Sequence, residues 1–250
     1  IMAGQLKPQY HWLFHIAIFS FFLSMRSYII KKAFKKGIKM NRVVITGIGI
    51  VSTIGNTQED VVQSLKTGSS GITYSNKYND VGMKSCVVGK PIIDLDTLIS
   101  RKHHRFMADA ASYCYVAMND AIQDAGLSKE DVSNERVGLI VGGAAASGST
   151  IVESADIAQK KGVRRVGAYA VTKCMSSSVS ACIASFFEIL GLNYSVSSAC
   201  ASGTHSIGSA YQQIAFGLQD RVFAGGGEEE SWTGSIQFDA MRALSHNYND

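Results

Sequence analysis

The residues with most chemical promise lie in Tyr194–Gly208, YSVSSACASGTHSIG. A strand-like run passes straight into a helix-like run, and Cys200 stands at the junction. Unpaired backbone N–H groups at a helix start carry partial positive charge, which favours an anion beside them. The same groups can hold the oxygen of a carbonyl under attack. Position alone therefore makes Cys200 the candidate nucleophile. Ala201, Ser202, Gly203, Thr204, Ser206, Gly208, Ser209 and Ala210 follow it, all small. Such a helix is intrinsically weak and is expected to pack closely on most sides, with Cys200 deep in a pocket open to a slender acyl arm. From the pattern alone, an inert buried thiol is as good a reading.

Other motifs yield less. His205 lies five residues beyond Cys200, about 7.5 Å of rise and about 140° of rotation along a helix, so the two side chains diverge. It is read as a hydrogen-bonded core histidine. Gly47-Ile-Gly49 lacks the third glycine of a dinucleotide fingerprint, because Ser52 stands there, and it is read as a tight turn. Gly225–Glu230, GGGEEE, cannot point three adjacent carboxylates at one ion and is read as a strand-ending turn with solvated or paired charges. Cys86, Cys114, Cys174 and Cys182 keep apolar periodicity and are assigned to the core. Five cysteines without a CxxC pair argue against a disulfide framework or a structural zinc site and fit reduced thiols in the cytoplasm. No metal and no cofactor are expected.

The elements that must position Cys200 alternate. Strands are predicted over Arg42–Ile50, Val137–Val141, Tyr194–Ala199 and Arg221–Ala224. A short helix follows Thr57-Gln-Glu-Asp60, which resembles a capping box, with Val61, Val62 and Leu65 as its apolar face. Helices are predicted from Phe106 to Ala125 with Gly126 beyond the end, from Ser178 to Leu190 with a stop at Gly191, and from Ala201 to Phe216. This order calls for a largely parallel sheet covered on both faces.

With 46% hydrophobic and 18% charged residues in 250, a disordered chain is excluded. The formal charge of +4 misleads. Residues 1–39 hold seven of the 24 basic side chains and no acid, which leaves 17 basic against 20 acidic residues in 40–250. A basic nucleic-acid binder is not supported. Residues 8–25 are uncharged and mostly apolar, but short and interrupted for a spanning helix, and most of the flanking positive charges follow rather than precede them. Residues 1–39 are read as a leader outside the fold, upstream sequence ahead of a start at Met40, with a weak apolar segment or anchor as the alternative.

The stretches VVITGIGIVSTIG at 43–55, RFMADA at 105–110, VTKCMSSSVSACIA at 171–184, SVSSACASGTHSIG at 195–208, VFAGGGEE at 222–229 and FDAMRALS at 238–245 resemble a β-ketoacyl-acyl-carrier-protein synthase, most like type I. The resemblance spans Met40 to Asp250 and none of 1–39. It implies an α/β fold of the thiolase-like, layered αβαβα kind, of which this chain would carry the N-terminal half and the start of the second. It implies a homodimer that takes acyl and malonyl thioesters from acyl carrier protein. The acyl chain would move to Cys200, malonyl-carrier protein would lose CO₂, and the carbanion would attack the acyl-enzyme. By the same resemblance Met175 and Phe238 would line the acyl channel, and Lys102, Arg105, Lys161 and Arg164 would receive the acidic carrier. The family's two histidines and lysine for decarboxylation lie further along than Asp250, so the chain is expected to be a truncated part, inactive in condensation by itself.

Three other readings compete. One is a thiolase-fold relative such as a polyketide ketosynthase or a non-decarboxylating acyltransferase. Another is a non-catalytic fragment that only dimerises or binds carrier protein. The last is a cysteine hydrolase, ranked lowest because Ser198 and Ser202 stand where its elbow needs glycine.

Overall fold

A computed structural model describes residues 40–145 and 147–249. The leader therefore lies outside the described residues. The main elements, in chain order, are α1 Gln58–Thr67, β1 Ile72–Tyr74, β2 Val87–Gly89, α2 Asp109–Asp124, β3 Val137–Gly142, α3 Gly148–Lys161, α4 Ser178–Phe186, β4 Asn193–Tyr194, α5 Ser202–Ala215, β5 Arg221–Gly226 and α6 Trp232–Ala240. Among the described residues, no helix is long and apolar enough to cross a membrane.

The site-bearing sheet has the order β4-β3-β5, all parallel. Parallel strands need helical crossovers, and buried ones read as continuous apolar runs. The central strand β3, VGLIVG, is buried at every residue. Its alternation divides the core. Val137, Leu139 and Val141 join Met118 of α2 and Ile183 and Ala184 of α4 in one cluster. On the opposite face, Gly142 lies against Ser202 and Ser206 of α5. The sheet is thus covered on both faces, as the alternating pattern required. β1 and β2 form a separate antiparallel pair.

Capping follows the sequence in most places. Thr57 Oγ1 accepts the Asp60 N–H at 3.1 Å and starts α1. Gly126, at φ 63°, follows the Ala125 cap of α2. The end of α4 differs: the helix stops at Phe186, and Glu188 takes the left-handed turn at φ 54°. Gly191 has another task. Its N–H donates to the Val137 carbonyl at 3.0 Å, an approach that a side chain would block.

Three expectations for the elements are corrected. Arg42–Ile50 is not a buried strand. It has no strand pairing, and Ile45 is 81% exposed. A β-branched run becomes a strand only beside a partner, and the described residues offer it none. Instead the segment lies along α2. The Ile48 N–H donates to Asp124 Oδ2 at 2.8 Å, and the Gln58 amide donates to the Ile48 carbonyl at 3.0 Å. Gly47-Ile-Gly49 is accordingly no tight turn. Cβ atoms there would collide with the Ala121 and Ala117 carbonyl oxygens, so both glycines permit close packing on a helix. The strand before Cys200 is also shorter than Tyr194–Ala199: only Asn193 and Tyr194 are paired, opposite Leu139 and Ile140.

Candidate active site

Cys200 sits on a compact turn between β4 and α5. Beyond Tyr194 the chain passes Ser195, whose Oγ donates to Ser180 Oγ on α4 at 2.7 Å. At Ala199 the backbone turns left-handed, φ 50°. A residue with a Cβ adopts that conformation at a cost of about 1–2 kcal/mol, so the surroundings must hold it. Two backbone bonds do so in part: the Ala201 N–H donates to the Ser198 carbonyl, and the Ser202 N–H to the Ala199 carbonyl, both at 3.1 Å. The Cys200 amide takes no part in either bond. Ser202, 2% exposed, adds its side chain to the turn.

The helix behind the turn is built for close approach. Gly142 ends β3 directly against α5, where a Cβ would lie 3.0 Å from Ser202 Cβ and 3.1 Å from Ser206 Oγ. Gly226 of β5 meets Gly203 in the same way. Ser202, Ser206 and Ala210, spaced four apart, form the buried stripe. The small side chains of α5 are explained by this face.

The other face corrects two expectations. Thr204, His205, Ile207 and Tyr211 are exposed, Ile207 at 57%. His205 is therefore not a core histidine: it lies one position before buried Ser206, turned away from the sheet. Cys200 is exposed rather than deep. The small-residue helix packs closely on one side only, so no wall of described residues rises beyond the thiol. An attacking sulfur so placed is accessible, with the first amides of a 14-residue helix next to it.

Of the four cysteines assigned to the core, two are buried outright. Cys86 and Cys182 are buried, and Cys114 and Cys174 half-buried. Burial, with Glu228 adding repulsion, pushes the Cys114 thiol up to about 12, far from ionisation at neutral pH. Burial raises Cys174 and Cys182 also. GGGEEE holds no ion cluster; no group of metal-binding side chains occurs among the described residues. Each glutamate ties down a different element. Glu228 accepts the Ala144 N–H at 2.8 Å, Glu229 accepts from Ser149 Oγ at 3.1 Å, and Glu230 accepts from the Tyr78 hydroxyl at 2.8 Å.

The two expected channel residues lie in different surroundings. Met175 is half-buried and lines a narrow, partly open cavity of about 20 Å³ beside Val141, Gly142 and Ser178. That volume suits one water rather than an acyl chain. Phe238 on α6 is 51% exposed. Cys200 lines neither this cavity nor the larger one below.

The basic residues are all exposed. Lys102 lies in the helical turn Arg101–His104, and Arg105 follows it. The Arg105 guanidinium lies over Phe106 and Tyr169, 5.1 and 5.0 Å from the centroids of two rings that pack edge-to-face on each other, which fixes a long side chain at the surface. Lys161 ends α3, and Arg164 lies in the turn Val163–Arg165. Tyr169 is five residues beyond Arg164, so its contact with Arg105 keeps the two basic runs within roughly 18 Å of chain. Arg101, Arg105 and Lys173 also line an open cavity of about 360 Å³, with Asp109, Ser147 and Glu229 on its walls. Sequence reasoning passed over Arg101, Lys173 and Ser202. A serine two residues after the cysteine, at a helix start, was the available signal for the last.

A three-stranded parallel sheet with helices on both faces defines an α/β protein, with an exposed cysteine on a strand–helix turn. The comparisons with known proteins agree. Residues 40–250 match the family model described as β-ketoacyl synthase, N-terminal domain, and the chain belongs to that family. It is 53% identical over 213 residues to 3-oxoacyl-[acyl-carrier-protein] synthase 1 of Escherichia coli strain K12, covering 84% of this chain and 52% of the relative. The synthase 1 of Haemophilus influenzae is 49% identical over 212 residues, with the same coverage. The chain thus spans about half the length of these relatives. Among solved structures, a β-ketoacyl synthase from Burkholderia phymatum STM815 superposes with TM-score 0.76 at 29% identity, covering 84% of this chain and 52% of that one. The ketosynthase AntDE, solved with the type II polyketide acyl-carrier protein AntF, superposes with TM-score 0.69 at 26% identity, covering 83% and 50%. The fold class is the thiolase-like α/β fold expected.

Proposed function

We propose that this chain supplies the acyl-accepting part of an acyl-carrier-protein-dependent condensing enzyme of fatty-acid elongation. The carrying observation is the exposed Cys200 on a left-handed turn at the start of α5. The Cys200 sulfur attacks the carbonyl carbon of a carrier-bound acyl thioester. The oxygen of the tetrahedral intermediate takes the charge and is held by the Cys200 N–H. The carbon–sulfur bond to the carrier then breaks, and the carrier thiol leaves with the proton that Cys200 gave up. Acyl chain and enzyme are now joined as a thioester, ready for a malonyl-derived carbanion.

Lys102, Arg105, Lys161 and Arg164 receive the acidic carrier. In support, all four are exposed, and Arg105 is held by two rings. Met175 and Phe238 serve the acyl channel only when further protein closes around them. Decarboxylation of the malonyl group requires groups beyond these residues, so the chain alone forms acyl-enzyme and no 3-oxoacyl product. The working protein is a cytoplasmic homodimer.

The test is mass spectrometry of Cys200 after incubation with an acyl thioester. A stable adduct at Cys200 supports acyl transfer. No adduct supports a binding fragment, and rapid release of free acid supports a hydrolase.

A further inference from the structure

The Ser202 side chain makes contacts that nothing in the acyl-transfer scheme uses. Its Oγ accepts the Ser198 N–H at 2.8 Å and lies 2.6 Å from the Ala199 carbonyl, to which it donates. The Gly143 carbonyl at the end of β3 is 3.3 Å from the same oxygen. Ser202 is 2% exposed, and its own carbonyl accepts from the Oγ of fully buried Ser206 at 2.8 Å. One hydroxyl therefore spans the left-handed residue: it grips the amide before Ala199 and the carbonyl of Ala199 itself. Both atoms lie within two residues of Cys200.

We infer that Ser202 is a positioning residue for Cys200, which holds Ala199 left-handed and so fixes the thiol at the start of α5. The inference rests on the reading of Cys200 as the acyl acceptor. Beyond its two backbone bonds, the turn has two ways to keep its shape. One is an external clamp, which Ser202 provides. The other is a residue that takes positive φ without strain, which glycine would be. Ala199 is not glycine, so the turn depends on the clamp. Removal of the clamp frees Ala199 to return to an ordinary backbone conformation, and Cys200 then swings away from the helix amides. The neighbouring serines do not replace it: Ser195 bonds to α4, and Ser206 bonds inside α5.

The experiment uses the full chain and peptide-level mass spectrometry of iodoacetamide labelling at every cysteine. Ser202→Ala is expected to slow labelling of Cys200 about tenfold, whereas Cys86 and Cys182, both buried, stay as protected as in the parent. Ser202→Thr retains the hydroxyl and is expected to stay within about threefold of the parent. In an Ala199→Gly background the same Ser202→Ala change is expected to cost less than threefold, since glycine no longer needs the clamp. This background also serves if Ser202→Ala alone fails to fold, which faster labelling of Cys86 and Cys182 reveals. Parent-like labelling of Cys200 in folded Ser202→Ala overturns the inference, as does an equal loss in both backgrounds. Failure of the acyl-acceptor reading is distinguishable: the parent then forms no acyl adduct, while the labelling contrast between variants persists.

Discussion

Gly142→Ala tests whether close packing beneath the cysteine turn is essential. Gly142 closes β3 where α5 crosses it. A Cβ there would drive into the Val196 carbonyl oxygen, with Ser202 Cβ at 3.0 Å and Ser206 Oγ at 3.1 Å. None of these can step aside as a flexible side-chain end would. The Val196 oxygen is backbone, Ser202 holds the turn, and Ser206 is fully buried and bonded to the Ser202 carbonyl. Relief requires α5 to lift away from β3, which opens space around Ile140 and Ala210. Overpacking of this kind costs about 1–3 kcal/mol, and a backbone collision belongs at the upper end. For a domain of this size, about 3 kcal/mol lowers Tm by roughly 6–12 °C. The assay is thermal unfolding followed by circular dichroism, together with the labelling rate of Cys200. A Gly142→Ala protein that melts within about 2 °C of the parent would show that α5 does not rest on β3 as described.

Further expectations follow from the same contacts. Gly208 lies within α5 with open space where a Cβ would go; Gly208→Ala is expected to stabilise by about 0.5–1 kcal/mol, seen as a rise in Tm, because alanine loses less backbone freedom in a helix. The Lys84 and Ser85 amides donate to the Asp239 carboxylate at 3.0 Å each and hold its pKa below the usual carboxylate range. This contribution is present above the unfolded pKa, about 3.9, and is lost as pH falls through the lower folded value. Asp239→Asn is therefore expected to flatten the acid side of the stability–pH curve, and an unchanged acid limb contradicts the assignment. Charge reversal at Lys102 and Arg105 is expected to slow acylation by carrier protein more at low salt than at high salt; equal slowing at both argues against electrostatic docking.

Much of the core was legible because burial leaves a periodic trace. β3 is an uninterrupted apolar run that ends in glycine, and α2 keeps helical spacing up to Ala125 and Gly126. What misled was always a missing neighbour. Arg42–Ile50 reads as a strand from side-chain type, but a strand exists only when its amides find another. The small residues of α5 correctly indicated close packing, yet side-chain size does not say on how many faces. One stripe, Ser202, Ser206 and Ala210, accounts for it, so Cys200 and His205 come out exposed. α3 carries no fully buried residue and was not foreseen. The role of Ser202 depends on a φ value at Ala199 that no residue type announces, because alanine there gives no hint of a left-handed turn. The glutamates of GGGEEE read as solvated or paired charges, but their three separate partners required the fold.

The most direct measurement is the intact mass and peptide map of the chain after exposure to acyl-carrier protein loaded with a saturated acyl group. Mass gain of one acyl unit, localised to Cys200 and absent in Cys200→Ala, is the expected result. Acyl modification spread over the other cysteines, or none at Cys200 while the carrier remains loaded, contradicts the account.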